Sequence, residues 1–172
     1  MKGWLKYVIG ALVIAAAAHF AAIYATPRVL MNVAMTKLGT QGVNAFRLGA
    51  RVTPAARAVV RPSPDLAYSA CVYDLSHGPV RLRVTPWQNY WSLSLFAANS
   101  DNFYVLDDRE ARDGIEITLV RAGAAAPRDA ANVVESPSPR GIALIRRLAP
   151  SPDTYEAVSR IAPNDECAAI NS

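Results

Sequence analysis

The feature that most constrains this chain is an apolar run from Val8 to Ala25 in which only Gly10 and His19 fall outside the apolar set, and which no Asp, Glu, Lys or Arg interrupts. Such a run is buried either in a bilayer or at the centre of a large protein, and 172 residues leave room for only one domain of ordinary size. Trp4 and Tyr7 open the run and Tyr24 closes it. As a helix, the steps from Trp4 to Tyr24 cover about 30 Å, which matches a hydrocarbon core with an aromatic residue at each interface. Lys2 and Lys6 precede the run, which predicts a cytoplasmic N-terminus and a domain exported across the membrane. Arg28 and Lys37 follow it and oppose this orientation, but the free amino terminus adds to the cytoplasmic side. A cleaved signal peptide has the same charged start and apolar middle. Against that alternative, a cut after Ala25 puts Ile23 where a small residue is favoured, and the run exceeds the usual length of about 7–15 residues. Both readings export the domain. His19 lies near the outer end of the span, where a neutral imidazole can reach headgroups.

The run also accounts for much of the composition. The chain is 52% hydrophobic, which excludes disorder, and carries a net charge of +4. Without Lys2 and Lys6, 16 basic residues face 14 acidic ones, too slight an excess for a nucleic-acid footprint. Two cysteines and two histidines are too few for a zinc ribbon or a cysteine-ligated cluster. No metal and no cofactor are expected.

Three segments follow from periodicity: an anchor over 1–27, a helical connector over 28–54 and a β-rich domain over 55–172. In the connector Val29, Leu30, Val33, Leu38, Val43, Phe46 and Leu48 suggest one or two amphipathic helices, weakened by Gly39 and Gly42. Further on the period becomes two. Val80, Leu82 and Val84 alternate with arginines, Trp91, Leu93 and Leu95 with serines, and Ile115, Ile117 and Leu119 with Glu116 and Thr118. Residues 71–75, 103–106 and 141–148 are further strands, separated by turns such as Ser76-His77-Gly78-Pro79. Residues 122–140 have low complexity and are expected to form a loop. Ser151-Pro152-Asp153 starts a short helix that Pro163 stops. The fold class is therefore mainly β, an antiparallel sheet or sandwich with flanking helices, preceded by one N-terminal transmembrane helix.

The catalytic signals are sparse. No G-x-S-x-G elbow, Gly-rich phosphate loop or dinucleotide fingerprint occurs, and His77, the histidine outside the apolar run, lies in a hairpin turn. A polar and aromatic set remains: Asp65, Tyr68, Ser69, Tyr90, Trp91, Asn102 and Arg147, with Arg61, Trp87, Asn99, Asp101 and Arg146 nearby in sequence. These residue types hold sugars or acidic headgroups by stacking and bidentate hydrogen bonds. They serve equally well inside a fold, with the tryptophans in the core and Arg146 or Arg147 neutralising Asp65 or Asp74. Cys71 and Cys167 can form a bridge in an exported domain, or can be one buried and one loose thiol.

Several short runs occur in a telling order: S-P-D-L-A-Y-S (63–69), D-L-S-H-G-P-V (74–80), N-Y-W-S-L-S-L (89–95), N-S-D-N-F (99–103) and S-P-S-P-R-G-I-A-L-I-R-R (136–147). Together they resemble the bacterial domain-of-unknown-function family DUF1254 over roughly residues 55–162. The resemblance implies a largely β-sheet domain of an envelope-associated protein, often accompanied by a second uncharacterised domain in the same chain or a neighbouring gene. It carries no established activity. The chain has Ser63-Pro64-Asp65-Leu66 where the family usually reads Asn-Pro-Asp-Thr, and Ser94 and Ala97 where Gln and Asp are usual. If those polar residues build a pocket in longer relatives, then Asp65, Tyr68, Ser69, Tyr90, Asn102 and Arg147 are a reduced or purely structural remnant. The expected protein is a single-pass inner-membrane protein with a periplasmic binding or assembly module, whose partner is a companion envelope protein and not nucleic acid. The alternative is a hydrolase or other enzyme acting on envelope glycan or lipid, which needs Asp65 and Tyr68 to converge in one open pocket.

Overall fold

The computed structural model describes residues 3–53 and 61–170, so Lys2 and the expected boundary between residues 54 and 55 lie outside the described residues. The apolar run folds as part of one helix, α1 (Leu5–Leu38), long and apolar enough to cross a membrane. Its alanine-rich sequence favours a helix, and at 1.5 Å per residue it is about 50 Å long, well beyond a bilayer core. The helix does not stop at Pro27, where the anchor segment is expected to end, but continues through it to Leu38. Proline removes one intrahelical hydrogen bond, yet the turns beyond it are held from outside. Met31, Ala34 and Met35 pack on Val72 and Ile142, with Phe96, Ala98 and Leu144 at the margin, and Ser100 Oγ donates to the Pro27 carbonyl at 2.9 Å.

The expected helical connector over 28–54 is helical as far as Gln41 and not beyond it among the described residues. After α1 a single 3-10 turn (Gly39–Gln41) ends at Gly42, whose φ of +110° suits glycine, and the chain then enters a short strand, β1 (Arg47–Leu48). The remaining strands are β2 (Leu66–Asp74), β3 (Val80–Val84), β4 (Trp91–Ala97), β5 (Asn102–Asp107), β6 (Ile115–Arg121), β7 (Val133–Ser136), β8 (Arg140–Leu148) and β9 (Glu166–Ala169). They form a five-stranded sheet in the order β1-β2-β8-β4-β5 and a four-stranded sheet in the order β7-β6-β3-β9. Every pairing is antiparallel except β6 with β7, which is parallel.

Alternation determines what each face meets. Cys71 and Tyr73 of β2, Leu93 and Leu95 of β4, and Ala143 and Ile145 of β8 face Val80, Leu82, Val84, Ile117 and Leu119 of the second sheet, closing one core. The opposite face of the first sheet carries α1 at one end. The outer face of the second sheet is a solvated charge ladder instead, with Arg83 to Glu116 at 2.8 Å and Arg81 to Glu166 at 3.8 Å. Exposed pairs of this kind contribute little to stability.

Residues 122–140 are more ordered than their composition suggests. Ser136, at the end of β7, is fully buried, and its Oγ lies 3.0 Å from the Tyr73 hydroxyl, which also donates to the Phe96 carbonyl at 3.1 Å. Burial raises the Tyr73 phenol above its ordinary value and keeps it neutral, although the hydroxyls of Ser136 and Ser138 act the other way. Gly141 completes this corner, because a Cβ there would collide with the Phe96 carbonyl and the Tyr73 ring. Gly141→Ala is therefore expected to destabilise the domain near the upper end of the usual overpacking range of about 1–3 kcal/mol. A urea-denaturation midpoint unchanged from wild type would refute this.

Helix α2 (Pro152–Ile161) begins as its sequence indicates. Ser151 Oγ accepts from the Thr154 amide at 3.2 Å and Thr154 Oγ1 accepts from the Ser151 amide at 2.9 Å, a reciprocal cap. Val158 is the buried residue of its inward face, and a 3-10 turn (Ala162–Asn164) carries the chain through Pro163 into β9.

Candidate functional site

The register of the first sheet divides the seven candidate residues between two faces and two ends. Arg147 of β8 stands between Ala67 of β2 and Trp91 of β4, and one row along Ile145 stands between Ser69 and Leu93. Since side chains in a strand alternate, Ser69, Trp91 and Arg147 all point into the sandwich. They are 2%, 0% and 1% exposed.

Arg147 meets Asp165, whose side chain is also fully buried. Its Nη1 donates to Asp165 Oδ2 at 2.7 Å and its Nη2 donates to Asp165 Oδ1 at 2.7 Å. The same Nη2 reaches the Thr85 carbonyl at 2.7 Å, and the Thr85 amide donates to Asp165 Oδ1 at 2.9 Å. This is a bidentate ion pair to which the Thr85 backbone adds one donor and one acceptor, the kind of arrangement that two charges need away from water. Asp165 follows the turn that ends α2, and two residues later Cys167 is bonded to Cys71, with Sγ atoms 2.06 Å apart. The ion pair and the bridge together join the C-terminal segment to the first sheet. Among the described residues, Ser69 Oγ, Trp91 Nε1, Ser92 Oγ and Arg147 Nε are buried without a hydrogen-bond partner.

The other candidates lie elsewhere. Tyr68 is on the outer face, opposite Arg146, which in turn stands opposite Ser92. Arg146 Nη1 donates to Ser94 Oγ at 2.9 Å, and the Tyr68 hydroxyl accepts from the Ser63 amide at 2.9 Å. Asp65 is exposed in the turn before β2, where its carbonyl accepts from the Ala149 amide at 2.8 Å. Tyr90 is exposed just before β4, and its carbonyl accepts from Leu148. Asn102 opens β5 and pairs with Phe96, which stands opposite Ile142. Four residues of β8 separate Ile142 from the Tyr68 level, a distance of about 13 Å.

The expected neutralisation of Asp65 or Asp74 by Arg146 or Arg147 is corrected. Arg140 pairs with Asp74 at 3.2 Å, and Arg147 is committed to Asp165. Burial acts to raise the Asp74 carboxyl, but hydrogen bonds from Ser76 and the charge of Arg140 outweigh it and hold the group below its ordinary value. Sequence reasoning missed Asp165 and Thr85. Neither carries a local signal, because both act through a partner far away in the chain.

Two clefts flank α1. One, of about 430 Å³, is lined by Arg28, Asn32, Ala97, Asn99 and Ser138 among others. The other, about 580 Å³, is an apolar groove beside His19, Ile23, Thr26, Leu30 and Ser100. Asp65 and Tyr68 line neither.

Residues 43–167 match the family described as "Protein of unknown function (DUF1254)". No curated protein matches. Among solved structures, the VPA0106 protein of Vibrio parahaemolyticus is similar with a TM-score of 0.61 and 14% identity, over 87% of this chain and 37% of its own. An uncharacterised protein of Burkholderia cenocepacia is similar with a TM-score of 0.46 and 17% identity, over 64% of this chain and 33% of its own. The chain thus spans little more than a third of the Vibrio protein's length, and at that identity the likeness concerns the fold alone.

Proposed function

The chain belongs to the DUF1254 family of proteins of unknown function, and on that premise we propose that it is a single-pass protein of the bacterial inner membrane whose sandwich stands in the periplasm as a non-catalytic binding or assembly module of the envelope. The observation that carries the non-catalytic reading is the placement of the candidate residues. Ser69, Trp91 and Arg147 are buried in the core, with the Arg147 guanidinium bound to Asp165, while Asp65, Tyr90 and Asn102 are exposed at separate points. An enzyme needs its acid, base and binding groups within reach of one substrate atom. Anchoring is supported by the length and apolar composition of α1 and by its docking through Met31, Ala34 and Met35. A helix that packs on its own domain carries that domain as one body at the membrane surface. The partner this reading expects is a companion envelope protein.

Topology and association test it together. Fused behind Ser172, alkaline phosphatase is expected to be active and green fluorescent protein dark. Mild crosslinking of intact cells, followed by detergent extraction, is expected to yield a complex with an envelope protein. A fluorescent, phosphatase-inactive fusion would refute the orientation, and recovery of monomer alone would refute the assembly role.

A further inference from the structure

Arg28 is the first cation beyond the apolar run, in a chain with no charged residue between Tyr7 and Pro27. Its guanidinium is not splayed into solvent: it lies 3.6 Å from the centre of the Tyr24 ring, and Nη1 donates to the Tyr24 carbonyl at 2.8 Å. Stacking leaves the other guanidinium N–H groups as donors, and among the described residues no carboxylate lies within ion-pair distance of Arg28. One turn further, Asn32 accepts from Thr36 Oγ1 through its Oδ1 at 3.4 Å, and its Nδ2 has no acceptor among the described residues. Both residues line the 430 Å³ cleft between α1 and two turns of the sandwich.

The turns form a built wall. Ser138 Oγ accepts from the Ala98 amide at 2.9 Å and donates to the Arg140 carbonyl at 2.7 Å, while the Asn99 side chain is held by Asp101. Ser100 ties the same turn to the helix at Pro27. Asp101 is an exposed acid in that turn, but no acid is among the residues that line the cleft. The cleft therefore offers one cation pinned on the interfacial Tyr24 and, one helical turn beyond that cation, one amide donor. That donor set suits a phosphate oxygen at the headgroup plane.

We propose that this cleft binds the phosphate of an anionic glycerophospholipid in the leaflet from which the sandwich emerges. The proposal rests on the anchoring described above. The proposal goes beyond charge, because the site uses both the Arg28 cation and the Asn32 amide.

The test uses the full chain purified in detergent, with phosphatidylglycerol or phosphatidylcholine added and bound lipid counted by native mass spectrometry. The wild type is expected to retain one phosphatidylglycerol with about fivefold preference, the scale of one favourable basic residue near a membrane surface. Arg28→Gln is expected to abolish the preference, whereas Lys37→Gln leaves it intact. Asn32→Leu keeps every charge but removes the amide donor, so it too is expected to lose the lipid. An Asn32→Leu protein that retains the preference would reduce the effect to general attraction and overturn the site. Displacement of the lipid by inorganic phosphate at equal concentration would assign the cleft to a soluble anion and overturn it as well. Flotation with phosphatidylglycerol–phosphatidylcholine vesicles separates the two layers of the argument. A chain that fails to float overturns both anchoring and site, and one that floats but holds the two lipids equally overturns the site alone.

Discussion

Asp165→Asn is expected to destabilise the sandwich by about 3–5 kcal/mol, the usual cost of removing one member of a buried ion pair. The carboxylate takes three short hydrogen bonds, from Nη1 and Nη2 of Arg147 and from the Thr85 amide. The substitution keeps the shape and leaves a guanidinium that is 1% exposed with no counter-charge. Arg147→Met should cost a similar amount for the mirror-image reason. The double variant Arg147→Met/Asp165→Leu replaces both charges with apolar groups of similar volume and should recover most of the loss, since buried pairs stabilise little against such a replacement. Urea denaturation of the four proteins closes a double-mutant cycle. Single variants that lose less than about 1 kcal/mol would show that water reaches the pair and that Arg147 is not a structural keystone.

Removing the bridge with Cys71→Ala/Cys167→Ala should cost about 2–5 kcal/mol. The cysteines are 96 positions apart, and the chain-entropy account gives about 4–5 kcal/mol for a loop of that size. Both residues are also buried, at 1% and 4% exposed, so the truncations lose packing too. Because the bridge and the ion pair hold the same segment, their effects should not add. Once β9 is released, Asp165→Asn should cost clearly less than it does in the bridged protein. Denaturation with and without dithiothreitol reads the first effect, and the combined variant reads the second. A reduced protein as stable as the oxidised one would mean that the C-terminal segment is held by packing alone.

The parts of the fold that the sequence makes legible are those whose signal is local. Val80–Val84 is the strand that its alternating arginines predict, and β4, β5, β6 and β8 extend the expected runs by a few residues at their ends. The start of α2 was equally readable, because Ser151, Pro152 and Asp153 act within one turn. The short strands β1, β7 and β9 were not, since two to four residues show no period, and each exists because a neighbouring strand supplies hydrogen bonds. Residues 122–140 illustrate this: their composition reads as loop, yet Ser136 is buried against Tyr73 at the sandwich corner.

The candidate site divides along the same line. Residue type drew attention to Arg147 and Trp91, and the register does place them side by side. Whether such a pair faces a ligand or the core depends on the strand's parity relative to the second sheet and on Asp165, which is 18 positions away in sequence. Composition and period by themselves determined an apolar helix long enough for a bilayer and a β-rich domain behind it, because hydrophobic runs and alternation are properties of neighbouring residues. Only the tertiary structure decided that α1 passes through Pro27 to dock on the first sheet, that Arg147 is consumed by an internal ion pair, and that Arg28 borders a cleft. Each of these depends on atoms brought together by packing between segments distant along the chain, and no local pattern records such contacts.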